Sequence, residues 1–568
     1  MITRNSQIIV DNYSSIPVKH ACKALWRDIE NTCVDRGQKG IDIILKKEAG
    51  FVPECFSLKK EGEKLFLTAS DDLGLIYGIY HISKTFLGVN EFWFWDEQVF
   101  DKKDGYEVPE GYCFASKPCK VRFRGWFIND EVLFDGWREA VGENFPWEMA
   151  FEALLRCGGN MTIPGTDANA HRYKKLATEY GLWITHHHAE PMGARMFARA
   201  YPDLEASFDK YPELFRGLWK EAIEEQKDAN VIWNIGFRGQ GDRPFWVDDP
   251  AYDTPEARGK LMSDLMLEQY NMIKAEDENA ICCMNLYGEI MELYREGHLS
   301  IPDDVIRIWA DNGFGKMVSR RQNNHNPRVP ALPNKGDSGA HGIYYHASFY
   351  DLQAAAMMTM LPNPPEFVIR ELSQVFDRGM KDFWIINCSN IKPHVYYLDL
   401  IARMWRGEVA PVMEEDGAKA EAERFTLDHC KTYYGTSSEN GVPEIAELYR
   451  LWPKYTVAYG DHEDDRAGEQ FSNHGARILA CAFISGFEKE HPEKTRKTEE
   501  LNWLLKADTL ADQVQWHLKK YEGGVHGYEE YLEKCKTVVD AVKEGRIPGG
   551  EDLIRQLDNN LINQVEYH

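Results

Sequence analysis

Eight short apolar runs, each ending in polar or ionisable residues, constrain this chain more than any other feature. They are VRFRGWFIND (121–130), NMTIPGTD (160–167), LWITHHHAEP (182–191), VIWNIGFRGQGD (231–242), ICCMNLYGE (281–289), VIRIWADNG (305–313), GIYYHAS (342–348) and FWIINCSNIKP (383–393). Most are separated by stretches with apolar residues at helical spacing. Strand-like runs alternating with helices predict a (β/α)₈ barrel, an α/β fold whose C-terminal strand ends build the active site. The polar endings fall where such a barrel places its chemistry.

A chain of 568 residues is too long for one core. Residues 1–117 read as an N-terminal α/β domain, 118–408 as the barrel and 409–568 as a C-terminal helical bundle. In the first part, 41–47 and 64–70 are strand-like. Residues 71–88 carry helical spacing, with Asp71 and Asp72 suited to the first turn and Gly88 to the end. The Pro/Gly-containing segment 108–118 reads as a linker. Barrel helices are expected at 147–157, 168–180, 212–228, 254–276 and 365–380. The stretch 319–341 has no periodicity and reads as a long loop over the barrel mouth. Beyond about residue 410, amphipathic patterns at 413–434, 443–457, 464–488, 496–520, 527–544 and 551–565 predict helices only.

The net charge of −25 argues against general nucleic-acid binding and against docking on anionic membranes. It does not exclude a small anionic substrate, because local cations can outweigh a distant field. The N-terminus has no apolar stretch of signal-peptide length, and no run of about 18 apolar residues predicts a transmembrane helix. The 12 cysteines are scattered without a CxxC, which suits reduced thiols and a cytoplasmic location. A homodimer is compatible with the sequence and not fixed by it.

Asp242 ends the fourth run in FRGQGD and Glu289 the fifth in NLYGE. Two carboxyl groups on neighbouring strand ends are the minimum equipment for glycoside hydrolysis, one protonating the leaving oxygen and one activating water or attacking the sugar. Glu289 also reads simply as the first residue of a helix, where acids are favoured. Arg238 offers a planar fork of donors suited to a carboxylate, or an ordinary ion pair. Asp130 with Glu131, and Asp311 with Asn312, close the first and sixth runs. These groups can bind sugar hydroxyls, or serve as a helix cap and a turn former.

His186 and His188 would share a face in a strand, as in some metal-dependent hydrolases. Further ligands on later strands are not evident, apart from His346, so substrate hydrogen bonding is favoured over a metal. Lys392 and the Tyr344–Tyr345 pair lie at the last two strands. A lysine there can meet an anionic substrate, and strand alternation lets one of the two tyrosines face a sugar.

The motifs together resemble glycoside hydrolase family 115, the xylan α-1,2-glucuronidases. LIYGIYHIS (75–83) followed by EFWFW (91–95) resembles that family's N-terminal signature, and RGWFINDE (124–131) its first barrel strand. HAEPM (188–192) is similar to HHEPM, FRGQGD (237–242) to MRGDGD and LYGEIMELY (286–294) to LYKEVLDYY. IPDDVIRIWADNGFG (301–315) is similar to VPDDVTLLWSDDNWG, GIYYH (342–346) is the same in both, and FWIINCSNIKP resembles LWIVNVGDLKP. The resemblance implies an inverting enzyme, with neither metal nor cofactor, that removes glucuronic acid or its 4-O-methyl ether from xylose units. It implies Glu289 and Asp242 as the catalytic carboxyl groups, with Glu289 as acid and Asp242 as base, or the reverse. It further implies Arg238 as the clamp on the uronate, and Asp130, His188, Asp311 and Tyr344 as substrate contacts. Ala189, Gln240, Asn312 and Asn390 depart from the family's residues at the rim and bear on the substrate more than on the reaction class. The late sequence shows no strands for the C-terminal β-sandwich of many members, so none is expected. Alternatives are a glycosidase of the same fold acting on a different uronic acid or neutral glycone, and a non-catalytic carbohydrate-binding relative.

Overall fold

The amino-terminal part builds a five-stranded mixed sheet from Asn5–Val10 (β1), Lys39–Lys47 (β2), Phe56–Glu61 (β3), Lys64–Ala69 (β4) and Cys113–Ala115 (β5), in the order β1-β2-β4-β3-β5. The computed structural model describes residues 1–10, 15–129, 144–240, 243–247, 249–319, 329–348, 359–457 and 510–567, with isolated positions between them. β1, β2 and β4 run parallel, and β3 runs antiparallel to both its neighbours. Helices α1 (Ile16–Thr32) and α2 (Asp72–Ile82) pack against each other and bury Leu25, Ile29, Ile76 and Ile79. The Asp71 carboxylate accepts from the Gly74 N–H and so caps α2, and Asp72 sits in the first turn, where the helix dipole favours an acid. The helix runs on through a π-turn at Ser83–Leu87 and stops at Gly88, whose φ of 72° suits a residue without Cβ. Segment 108–118 is more than a linker, because Cys113–Ala115 adds the fifth strand. Three residues are too few to display a period-2 signal.

All eight apolar runs form strands of one parallel barrel. They are Phe123–Phe127 (β6), Met161–Ile163 (β7), Trp183–Ile184 (β8), Ile232–Asn234 (β9), Ile281–Leu286 (β10), Ile306–Ala310 (β11), His341–His346 (β12) and Phe383–Asn387 (β13). Their order is β8-β7-β6-β13-β12-β11-β10-β9. A parallel bridge between Ile184 and Val231 joins the two ends, so the ring closes through a thin seam. Helices Phe145–Arg156 (α3), Asp167–Glu179 (α4), Pro212–Gln226 (α5), Pro255–Glu276 (α6), Glu289–Arg295 (α7), Pro365–Asp377 (α8) and Val395–Arg406 (α9) follow every strand but β11, between which and β12 the described residues hold no helix. Several begin with proline, whose missing N–H is harmless in the first turn.

Period-2 alternation sorts the strand residues. Phe123, Phe127, Met161, Ile163, Ile232, Cys283, Ile308, Tyr344 and Ile385 fill the barrel interior. Trp126, Trp309, Ile343, Tyr345 and Trp384 point outward into a second apolar cluster. That outer cluster continues without a break into the N-terminal helices and the C-terminal bundle.

The C-terminal helices are Glu415–Ser438 (α10), Val442–Tyr455 (α11), Leu510–Lys543 (α12) and Gly550–Leu557 (α13). The patterns at 464–488 and most of 496–520 lie outside the described residues. α12 runs unbroken through Gly523 and Gly524, where the sequence pattern predicts a break. A glycine costs a helix about 1 kcal/mol relative to alanine, and burial of Tyr531, Cys535 and Val539 farther along the same helix offsets it. No helix among the described residues is long and apolar enough to cross a membrane.

Candidate active site

The C-terminal ends of the barrel strands carry an aromatic floor with polar groups above it. His188 stacks on Tyr287, with ring centroids 4.1 Å apart and planes 14° from parallel. Tyr344 lies 5.8 Å from Tyr287, 6.1 Å from His188 and 4.7 Å from His346. Its hydroxyl accepts from Asn387 Nδ2 at 2.9 Å. Tyr345, next in sequence, points into the outer cluster, as strand alternation requires.

Glu289 is the first residue of α7, directly after Gly288, whose φ of 55° turns the chain from strand to helix. It therefore starts a helix and stands on the barrel rim at once. Arg238 Nε donates to Glu289 Oε1 at 2.9 Å. The Arg238 side chain is 7% exposed and the Glu289 side chain 29%. The guanidinium carbon also lies 5.7 Å from the Tyr287 ring centroid, so aromatic and carboxylate hold it together. The arrangement is a partly exposed carboxyl group, a nearly buried cation and a stacked aromatic pair at one barrel mouth.

Three amides complete the rim that the sequence reading did not single out. Asn285 Nδ2 donates to Asn234 Oδ1 at 3.0 Å, and Asn234 Nδ2 donates to the His187 carbonyl at 3.0 Å. Asn387 is the third. Each stands two residues beyond an interior apolar residue, namely Ile232, Cys283 and Ile385. Extending the period-2 register by one step would have found all three.

Other expectations change. Asp311 makes the bonds of a turn former, the second reading that its position in ADNG allowed. Its Oδ1 accepts from the Gly313 N–H at 3.1 Å and from His346 Nδ1. Its Oδ2 accepts from the Gly315 and His346 N–H groups at 2.8 and 3.1 Å. The carboxylate is fully buried, and its acceptor capacity is spent on a turn and on orienting His346. Asn312 Oδ1 accepts from the Phe314 and Lys316 N–H groups in the same turn. Both residues are turn formers. Lys392 donates instead to Glu97 Oε1 at 2.9 Å, and Glu97 also accepts from Arg555 and Asn559. That lysine ties a strand end to the N- and C-terminal parts.

The shared face expected for His186 and His188 does not form, because β8 ends at Ile184. His186 Nε2 donates to Gln226 Oε1 on α5 at 2.7 Å, and burial lowers its pKa to about 4 despite that bond. His188 turns to the mouth. Among the described residues, no three His, Cys, Asp or Glu side chains converge as metal ligands. Asp130, Glu131 and Asp242 lie outside the described residues. A cavity of about 330 Å³ at the opposite end of the barrel, lined by Trp183, Asn230, Asp277 and Ile281, holds none of the rim residues.

Comparison with known proteins bears on the family and the fold. The sequence model of glycosyl hydrolase family 115 matches residues 116–457. No curated protein matches the chain. Among solved structures, the chain is similar to a family GH115 4-O-methyl-α-glucuronidase with specificity for decorated arabinogalactans, at 17% identity and a TM-score of 0.66, covering 100% of this chain and 80% of that one. At that identity the likeness shows the fold. A GH138 enzyme targeting pectin rhamnogalacturonan II aligns at 10% identity and a TM-score of 0.47, over 98% of this chain and 76% of that one. A family 89 glycoside hydrolase from Clostridium perfringens aligns at 9% and 0.46, over 92% and 65%.

Proposed function

The chain belongs to glycosyl hydrolase family 115, and we propose that it hydrolyses α-1,2-linked glucuronic acid, or its 4-O-methyl ether, from xylo-oligosaccharides with inversion. The observation that carries this reading is the Arg238–Glu289 pair at the barrel mouth. A protein of net charge −25 repels an anionic sugar at long range, so a local cation in a sheltered site must supply the attraction. Arg238, nearly buried and beside Glu289, is a planar guanidinium of the kind that matches a uronate carboxylate. The sugar ring then meets the His188, Tyr287 and Tyr344 rings.

In this reading Glu289 protonates the glycosidic oxygen, and Asp242 removes a proton from the attacking water. Water adds at the anomeric carbon as the leaving oxygen departs, so an α-linked uronoside releases the β-anomer first. The similar GH115 4-O-methyl-α-glucuronidase is specific for decorated arabinogalactans, a different backbone from xylan. The substrate panel therefore holds both backbones.

The test is proton NMR of the first product from wild type, Glu289→Gln and Arg238→Lys. Losing a general acid costs about 10²–10⁴ in rate on a natural glycoside, and far less on a substrate with a good leaving group. Initial release of the α-anomer would remove inversion. Leaving-group rescue in Asp242→Asn, and not in Glu289→Gln, would exchange the two roles. A wild type that prefers the neutral glucoside would sink the uronate reading, and so would an Arg238→Lys variant with unchanged preference.

A further inference from the structure

The chain just past Arg238 holds an aromatic residue that no part of the site yet explains. After β9, Gly239–Gln240 pairs antiparallel with Arg243–Pro244, and the Phe245 N–H donates to the Arg238 carbonyl at 2.6 Å. A single 3₁₀ turn, Phe245–Val247, follows. The Phe245 ring packs on Phe237 at 5.4 Å and edge-on against Tyr252 at 5.0 Å. Trp246 meets Phe245 edge-on, with centroids 4.9 Å apart at 84°. The Arg258 guanidinium lies over the indole at 5.1 Å. Arg258 is itself fixed, donating to the Tyr252 carbonyl at 2.6 Å and to the Asp253 carbonyl at 2.9 Å. The indole is thus held on an edge and on one face, yet it remains partly exposed. Val247 beside it is 49% exposed.

The residue before this partly exposed tryptophan, Phe245, donates its N–H to the carbonyl of Arg238, whose guanidinium bonds Glu289. We propose that Trp246 is the platform for the leaving sugar, stacking the neutral pyranose released when the uronosyl bond breaks. The inference rests on the uronosidase reading above and deepens it. Two chemistries meet at the scissile bond. The glycone is charged and takes the cation. The leaving ring is neutral, and its C–H face packs on an aromatic surface. Arg258 lies over the indole, and the part of the ring that stays exposed is the surface a neutral ring would use.

The experiment compares two substrates with one glycone, namely α-glucuronosyl fluoride and glucuronosyl xylotriose. The fluoride has no leaving sugar; water adds at the anomeric carbon as fluoride leaves, and a proton is released. For Trp246→Ala, the ratio of kcat/KM on the oligosaccharide to kcat/KM on the fluoride should fall about tenfold, equivalent to about 1.4 kcal/mol of lost contact. The fall should sit mainly in KM. Trp246→Phe keeps a ring and should keep the ratio within about twofold. Should the alanine variant fail to fold, Trp246→Leu, with apolar bulk but no flat face, reads the same ratio. Equal losses on both substrates would overturn the platform. A wild type that turns over neither substrate would overturn the uronosidase reading instead.

Discussion

At the scale of single residues, the fate of a polar side chain follows from how many of its bonds the protein already makes. A carboxylate has about four lone-pair directions, and Asp311 has them filled by three backbone N–H groups and His346. Glu289 accepts from Arg238 through Oε1 while its side chain stays partly open, which is the condition for handling a substrate proton. Asp311→Asn should therefore act through stability. It places an amide NH₂ against backbone N–H groups and leaves a buried donor unmet, at a cost of about 2–3 kcal/mol. Urea unfolding of the variant measures this directly. A variant as stable as wild type would mean that the turn does not need the carboxylate.

At the scale of elements, the barrel depends on close strand approach. A Cβ on Gly125 in β6 would lie 1.7 Å from the Met161 carbonyl oxygen in β7. Gly125→Ala must push two paired strands apart and is expected to cost at least about 3 kcal/mol. Gly217, on an exposed face of α5, meets nothing within 4 Å. Gly217→Ala is expected to stabilise by about 0.5–1 kcal/mol through helix propensity. Opposite shifts in melting temperature from the same substitution check the assignment of one glycine to a strand contact and the other to an open helix face. The histidine run makes a related point. An HxH pair shares a face only while the strand continues, and β8 stops two residues before His186 and four before His188.

At the scale of the whole molecule, buried charge joins the parts. Arg156 on α3 bonds Asp28 on α1 at 2.5 Å, and Arg124 on β6 bonds Glu54 at 2.6 Å. Asp96 from the N-terminal part lies 3.9 Å from His429 on α10, and His429 Nδ1 donates to Asp399 on α9 at 2.8 Å. Arg403 also bonds Asp399, and Lys392 and Glu97 act on Asp96 through space. Burial pushes Asp96 up to about 6, against the pull of His429 and Lys392. The folded protein therefore holds this proton more tightly than the unfolded chain does. The associated stability is full below the unfolded value near 3.8 and is lost as pH rises through about 6. His81 and His186, lowered to about 4 by burial, act oppositely over the same interval. The quantity to measure is thus the melting-temperature difference between wild type and Asp96→Asn. Wild type should lose ground to the variant between pH 5 and about 7. A difference that does not vary with pH would remove Asp96 from the account.

Strand periodicity is local, so the chain by itself determined the eight strands, the alternating helices, the interior layer and the residues that stand at the rim. It also carried the Glu289 and Arg238 positions, because each follows an apolar run at a turn marked by glycine. Only the tertiary structure decided which polar groups are already satisfied. Asp311 is closed by a residue 35 positions away, Lys392 by one 295 positions away, and Arg238 meets Glu289 across 51. Whether a rim side chain serves the fold or faces the mouth depends on those distant partners. Short-range pattern encodes where a side chain points, but hydrogen-bond saturation is set by contacts that only the closed barrel and its flanking helices bring together.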